Sequence, residues 1–152
     1  MTDKKEKPNK IEQGFGIIHQ YTKDLSFETL LSAKELLQDD FSPTGEIQLD
    51  LFVEKIDENV SEITLKIKIE AKDEEKNKSV YIIELEYNGL IHIQGFPEEE
   101  AVPLLMVEAP RLMFPFAREI IARATSNGGF VPLILKPVDF LGMFMEQAQK
   151  NN

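Results

Sequence analysis

The stretch VYIIELEYNGL, residues 80–90, decides the fold. Four apolar side chains fall at alternate positions of this stretch: Tyr81, Ile83, Leu85 and Tyr87. The positions between them hold Ile82, Glu84 and Glu86. Because successive side chains of a β-strand point to opposite faces, this alternation predicts a strand with one apolar face and one largely acidic face. Such a strand needs a cover of apolar residues on one side only.

Three segments upstream show the same alternation, over residues 15–27, 47–53 and 63–69. Short connections between the last three strands favour an antiparallel meander. In the first segment the odd positions are apolar or aromatic except for Lys23, and they include His19; we therefore predict a histidine in the core. The even positions from Gln20 to Glu28 are polar and include Asp24 and Ser26. If the first and fourth strands share a sheet, its outer face carries a cluster of carboxylates.

After Gly95 the apolar residues no longer recur at every second position but about every three and a half residues. Pro97 followed by Glu98, Glu99 and Glu100 is typical of a helix start. A clearer helix follows, with one apolar stripe made of Met113, Phe116, Ala117, Ile120, Ile121 and Ala124. We also predict a short helix within residues 29–40 and a last one over residues 138–149. Strands first and helices afterwards indicate the α+β class.

Length and charge limit the classes of function. The chain has 152 residues, which fits one domain, and a formal net charge of −10, which argues against binding nucleic acid or an anionic membrane surface. The longest uncharged stretch, residues 124–135, is far shorter than the roughly 20 apolar residues of a membrane span, so we expect no direct membrane insertion. We predict a disordered tail over residues 1–10, a single domain over residues 11–150, and a cytoplasmic location.

No set of residues with catalytic or metal-binding spacing stands out. The chain has no cysteine, and its two histidines, His19 and His92, lie in no zinc-binding spacing. The acidic run Glu98–Glu100 is typical of a solvated helix start. We therefore predict a protein that is not an enzyme and uses no cofactor or metal, and whose function lies on its surface. A small-ligand-binding protein that uses the apolar inner side remains the alternative from another class.

Four motifs in order resemble the SecB family of bacterial export chaperones. The first is YTKDLSFE at residues 21–28, and the second is the helix start around residues 104–110. The third is FPFARE at residues 114–119, and the fourth joins GGFVPL at residues 128–133 to PVDF at residues 137–140. The resemblance spans about residues 15–145. It departs at Thr29-Leu30, where the family usually has Asn-Pro, and at the C-terminus, where an acidic tail is common.

The resemblance implies a four-stranded antiparallel sheet with helices packed on one face, assembled as a homotetramer, a dimer of dimers. It implies an ATP-independent chaperone that binds non-native preproteins and delivers them to the motor SecA. The basic, zinc-bearing C-terminal tail of SecA would meet an acidic sheet face. Carried over residue by residue, the resemblance assigns SecA binding to Asp24, Glu28, Ile82 and Glu84.

Two further sets of residues follow from the resemblance. Phe41 and Phe130 match aromatic positions of the family's client groove. Tyr81, Ile83, Leu85 and Tyr87 match its tetramer assembly face, while the alternation by itself also fits a place in the monomer core. A SecB-like chaperone dedicated to a toxin–antitoxin system is the alternative within the same class.

Overall fold

The computed structural model describes residues 12–151, so the tail predicted over residues 1–10 lies outside the described part of the chain. The strands are β1 (Gly14–Thr29), β2 (Thr44–Asp57), β3 (Val60–Asp73) and β4 (Lys78–Gln94). The helices are α1 (Ala33–Gln38), α2 (Glu98–Pro103), α3 (Ala109–Asn127) and α4 (Phe140–Lys150). A π-helical stretch, Leu104–Glu108, joins α2 to α3, so these three form one continuous helical segment.

The four strands form one antiparallel sheet in the order β1-β4-β3-β2. The meander of β2, β3 and β4 is as predicted, and β1 pairs with the free side of β4. The connection from β1 to β2, which contains α1, therefore passes from one edge of the sheet to the other. The prediction of an α+β fold with a four-stranded antiparallel sheet and helices on it is confirmed.

One face of the sheet is covered by the helical layer and forms the core. Alternate side chains of β3 and β4 on this face are almost inaccessible: Ile63, Leu65, Ile67, Ile69, Tyr81, Ile83, Leu85 and Tyr87 are 0–6% exposed. Met113, Phe114, Ala117 and Ile121 of α3 belong to the same buried cluster. Each large side chain buried in this way stabilises the fold by about 1.5–3 kcal/mol. The opposite face of the sheet is called the outer face below.

The apolar stripe of α3 is wider than the part of it that the sheet covers. Phe116, predicted to lie on the buried stripe, is 53% exposed, and the neighbouring Leu112 is 50% exposed. The prediction was wrong for Phe116 because the buried side of α3 runs instead through Phe114 and Ala117. An apolar strip of α3 consequently faces away from the core of its own chain.

Two β-bulges in β1 change which side chains face the helices. The pairing with β4 shifts between Ile17 and His19 and again between Thr22 and Asp24. Each shift adds one residue to β1, which inverts the alternation after the first bulge and restores it after the second. The prediction of a core histidine was therefore wrong: His19 is exposed on the outer face and stacks on Tyr21, with ring centroids 5.6 Å apart.

The loop that precedes β2 is fastened to the turn between β3 and β4 by one carboxylate. Asp73 accepts hydrogen bonds from the backbone N–H of Ser42 (3.0 Å) and of Lys76 (3.1 Å). Both bonds stabilise the ionised carboxylate and hold the pKa of Asp73 below its usual value. The bond from Ser42 has the larger effect. Lys76 adds a hydrogen bond from its ammonium group to the carbonyl oxygen of Asp40.

Gly89→Ala should destabilise the chain. A methyl group on Gly89 would lie 2.8 Å from the sulfur of Met113, closer than packed atoms approach. We expect the free energy of unfolding to fall by about 1–3 kcal/mol, as for other overpacked cores. The measurement is urea unfolding at one fixed protein concentration. Gly16→Ala is the matched control in a neighbouring strand, because nothing lies within 4 Å of the added methyl group.

Asp73→Asn should lower stability at neutral pH and have little effect in acid. Because the pKa of Asp73 is lower in the folded chain than in the unfolded chain, its contribution is present above the ordinary aspartate pKa. That contribution is lost as the pH falls through the folded value. Urea unfolding at several pH values measures the difference. Asp57→Asn is the control, since the side chain of Asp57 accepts one backbone bond, from its own neighbour Glu58. A difference that stays constant with pH would contradict the assignment.

Candidate functional site

The predicted acidic site lies on the outer face, where β1 and β4 pair. Asp24 pairs with Glu86, Ser26 with Glu84, and Glu28 with Ile82. The structure therefore brings Asp24, Glu28, Ile82 and Glu84 together on two adjacent strands. Asp24, Glu28 and Glu84 are exposed, and Ile82 is half-buried between them. Their role in binding stays a prediction.

Carboxylates also dominate the rest of the outer face. Glu62 and Glu70 of β3 and Glu46, Asp50 and Glu54 of β2 share the face by their pairing. Three lysines of β3 interrupt this field. The ammonium of Lys66 lies 3.9 Å from Glu86, that of Lys68 lies 3.6 Å from Glu84, and that of Lys72 lies 3.8 Å from Glu70. All six side chains are partly exposed, and such pairs contribute only about 0–1 kcal/mol. The outer face therefore remains negative and suits a basic partner.

Phe41 and Phe130, predicted as groove residues, line one open groove at the end of the helix-covered side. The groove has a volume of about 560 Å³, and Tyr81, Leu36 and Leu133 also line it. Phe130, Tyr81 and Phe27 form an aromatic cluster with ring centroids 5.0–6.2 Å apart. The ammonium of Lys76 lies 4.3 Å from the centroid of the Phe41 ring, a cation–π contact. The two phenylalanines, which are far apart in the sequence, thus meet in one place.

Apolar side chains around the groove are unusually open to solvent. Val131, which lines the groove, is 86% exposed. Leu37 and Ile134, which directly follow two lining residues in the sequence, are 86% and 72% exposed. Exposed apolar residues that gather beside a groove mark a surface for binding other chains. The sequence pattern did not single out these rim residues. The only signal for Val131 and Ile134 was their place in the Pro- and Gly-rich connection that follows α3.

The four residues predicted for tetramer assembly lie in the core of the single chain. Tyr81, Ile83, Leu85 and Tyr87 face the helices and are at most 6% exposed. Burial raises the pKa of Tyr81 and of Tyr87. Their part in assembly stays a prediction. The exposed strip of Leu112 and Phe116 lies on the side of α3 that faces away from this core. The sequence did not identify this strip as a surface, because its only indication was an apolar stripe on α3 wider than the sheet can cover.

Glu98, Glu99 and Glu100 are exposed in the first turn of α2. Across residues 12–151, no three His, Cys, Asp or Glu side chains gather where they could hold a metal ion. Over the same residues, none of the helices combines the length and apolar character needed to cross a bilayer.

Comparison with known proteins gives the family. The family model described as "Preprotein translocase subunit SecB" matches residues 8–151. The chain is 42% identical to the protein-export protein SecB of Nitrobacter hamburgensis over 88% of this chain and 83% of that protein. It is 43% identical to that of Sinorhizobium medicae over 86% of this chain and 77% of that protein.

A solved structure shows the same fold at low identity. It is a SecB-like chaperone of Mycobacterium tuberculosis in complex with an antitoxin peptide. The TM-score is 0.67 at 12% identity, over 82% of this chain and 90% of that one. SecB proteins are non-enzymatic chaperones, so the prediction that the chain is not an enzyme is confirmed. The chain belongs to the SecB family of protein-export chaperones.

Proposed function

We propose that this chain works in the cytoplasm, holds non-native preproteins in the groove of Phe41 and Phe130, and presents its outer face to SecA. One observation carries the proposal: an aromatic groove and an acidic surface use opposite faces of the same two strands. Tyr81 lines the groove and Phe27 packs against its ring. The next residues along the two strands, Glu28 and Ile82, belong to the acidic site. Two different partners can therefore bind at once.

The groove suits an extended, unfolded segment better than a folded protein. Its aromatic floor and exposed rim offer apolar contacts along an open surface, without the closed pocket that a small ligand requires. A chaperone that binds unfolded chains and not folded ones lowers the free concentration of aggregation-prone species by mass action. This work requires no nucleotide.

Assembly would multiply these weak contacts. We propose a homotetramer, a dimer of dimers, in which the exposed strip of Leu112 and Phe116 on α3 is buried between protomers. The core residues Tyr81, Ile83, Leu85 and Tyr87 would then support this interface from behind. Several linked grooves on one flexible client raise avidity by about 10²–10⁴.

The outer face suits a partner that carries positive charge. The basic, zinc-bearing C-terminal tail of SecA has the charge that Asp24, Glu28 and Glu84 attract. Attraction between exposed charges depends on salt, so this contact should weaken with ionic strength more than client binding does. The export name of the relatives at 42–43% identity favours this function over a dedicated toxin–antitoxin role.

Phe41→Ala and Phe130→Ala should each weaken client binding. An aromatic side chain buried by a client contributes about 1.5–3 kcal/mol, so we expect affinity to fall roughly tenfold or more. The measurement is titration calorimetry with a urea-unfolded preprotein. Phe52→Ala is the control, because Phe52 is also a phenylalanine that solvent reaches (56% exposed) but lies on the outer face of the edge strand β2, away from the groove. An equal loss of preprotein affinity in all three variants would contradict the proposal that clients bind in the groove.

The double variant Asp24→Ala/Glu84→Ala should weaken SecA binding and leave aggregation suppression intact. Two exposed charge contacts at up to about 1 kcal/mol each amount to roughly tenfold in affinity at low salt. The measurement is SecA affinity at two salt concentrations, alongside light scattering of an aggregating preprotein. Glu46→Ala, at the far edge of the same face, is the control. Unchanged SecA affinity at low salt would overturn the assignment.

A further inference from the structure

Asn88 is a fully buried polar side chain on the outer face of the sheet. Its residue is 0% exposed, and neither the amide nitrogen nor the amide oxygen has a hydrogen-bond partner. Alternation along β4 places it on the outer face, because its neighbour Gly89 packs against Met113 on the helical side. Its pairing partners on that face are Tyr21 of β1 and Thr64 of β3. A polar group buried on the solvent side of a sheet requires an explanation.

Tyr21 provides the cover. Its hydroxyl donates a hydrogen bond of 2.5 Å to a carboxylate oxygen of Glu62 on β3. Because β4 lies between β1 and β3, the Tyr21 side chain crosses over β4 at Asn88. The hydrogen bond to Glu62, and after it burial, raises the pKa of Tyr21. The Asn88 amide, which is close to the hydroxyl but outside hydrogen-bond geometry, opposes this rise. His19 stacks on the Tyr21 ring.

The closed arrangement leaves unused hydrogen-bonding capacity beneath the ring. A buried polar group without a partner destabilises the fold, and the bond between Tyr21 and Glu62 partly offsets that cost. Movement of the Tyr21 side chain would expose the Asn88 amide and free the Glu62 carboxylate. A carboxamide offers one acceptor and two donors, and it can therefore pair with a backbone N–H and a backbone C=O of an extended chain.

We propose that Tyr21 covers a subsite for an extended basic peptide segment of a protein partner. Asn88 binds the main chain of that segment, and Glu62 binds a lysine or arginine side chain. This inference rests on the acidic docking surface proposed above and extends it along β4. Glu86, which pairs with Asp24, is two residues from Asn88, about 7 Å along the strand. One extended segment can therefore span both parts of the surface.

The test uses a capped peptide of alternating lysine and glycine, with spermine as a polycation that has no peptide backbone. Binding of each probe to the full chain is measured by calorimetry at low salt. Asn88→Leu should weaken peptide binding severalfold and leave spermine binding unchanged. Tyr21→Phe, which keeps the ring but loses the bond to Glu62, should strengthen peptide binding severalfold. Glu62→Gln should weaken both probes, and Glu46→Gln is the charge-matched control.

Stability separates this role from a structural one. Asn88→Leu removes an unpaired amide, so the urea midpoint should stay constant or rise, whereas a supporting asparagine would lower it. Peptide binding that is unchanged by Asn88→Leu, or that falls equally with spermine binding, overturns main-chain recognition. If Asn88→Leu does not fold, Tyr21→Phe still tests the proposal. Peptide binding that is unchanged or weaker in Tyr21→Phe would show that Tyr21 does not cover a peptide subsite.

The failure of the subsite is distinguishable from the failure of the docking surface. If Asp24→Ala/Glu84→Ala weakens peptide binding while the Tyr21 and Asn88 variants do not alter it, only the subsite is wrong. If the peptide fails to bind the unmodified chain, or binds the double variant equally well, the acidic docking surface is wrong and the subsite is wrong with it.

Discussion

The pairing of β4 with β1 on one side and β3 on the other is the constraint on which the structure depends. With both edges of β4 hydrogen-bonded, its side chains can only point to the two faces of the sheet. Tyr81, Ile83, Leu85 and Tyr87 therefore require the helical cover, and Glu84 and Glu86 must lie on the face that the helices leave open. The acidic surface is thus a consequence of the same register that builds the core.

That constraint explains which parts of the fold the sequence could predict. In β3 and most of β4 the pairing runs without a bulge, so alternation assigns Ile63 and Leu85 to the core correctly. In β1 two inserted residues invert the alternation and then restore it. Asp24 and Glu28, which follow the second bulge, lie on the face that simple alternation gives. His19 and Tyr21, which lie between the two bulges, are on the opposite face from the one that simple alternation predicts.

The functional surfaces differ in how far a pattern can reach them. The acidic residues lie on paired strands, so alternation and one assumption about the sheet were enough to group them. Phe41 and Phe130 meet only because the loop before β2 and the connection after α3 converge on Tyr81. No local period encodes that meeting, and only the family resemblance pointed to it. The burial of Asn88 depends on Tyr21, which the unpredicted bulge turns to the outer face.

Net charge and exposed apolar surface balance each other in this chain. Val131, Leu37 and Ile134 expose apolar surface that a client needs, and the same surface favours association between copies of the chaperone. A formal charge of −10 opposes that association over distances of about a Debye length, roughly 8 Å at physiological ionic strength. Many of the carboxylates lie on the outer face, although Asp39 and Asp40 line the groove as well. Repulsion therefore limits self-association while apolar segments of a client still reach the aromatic floor.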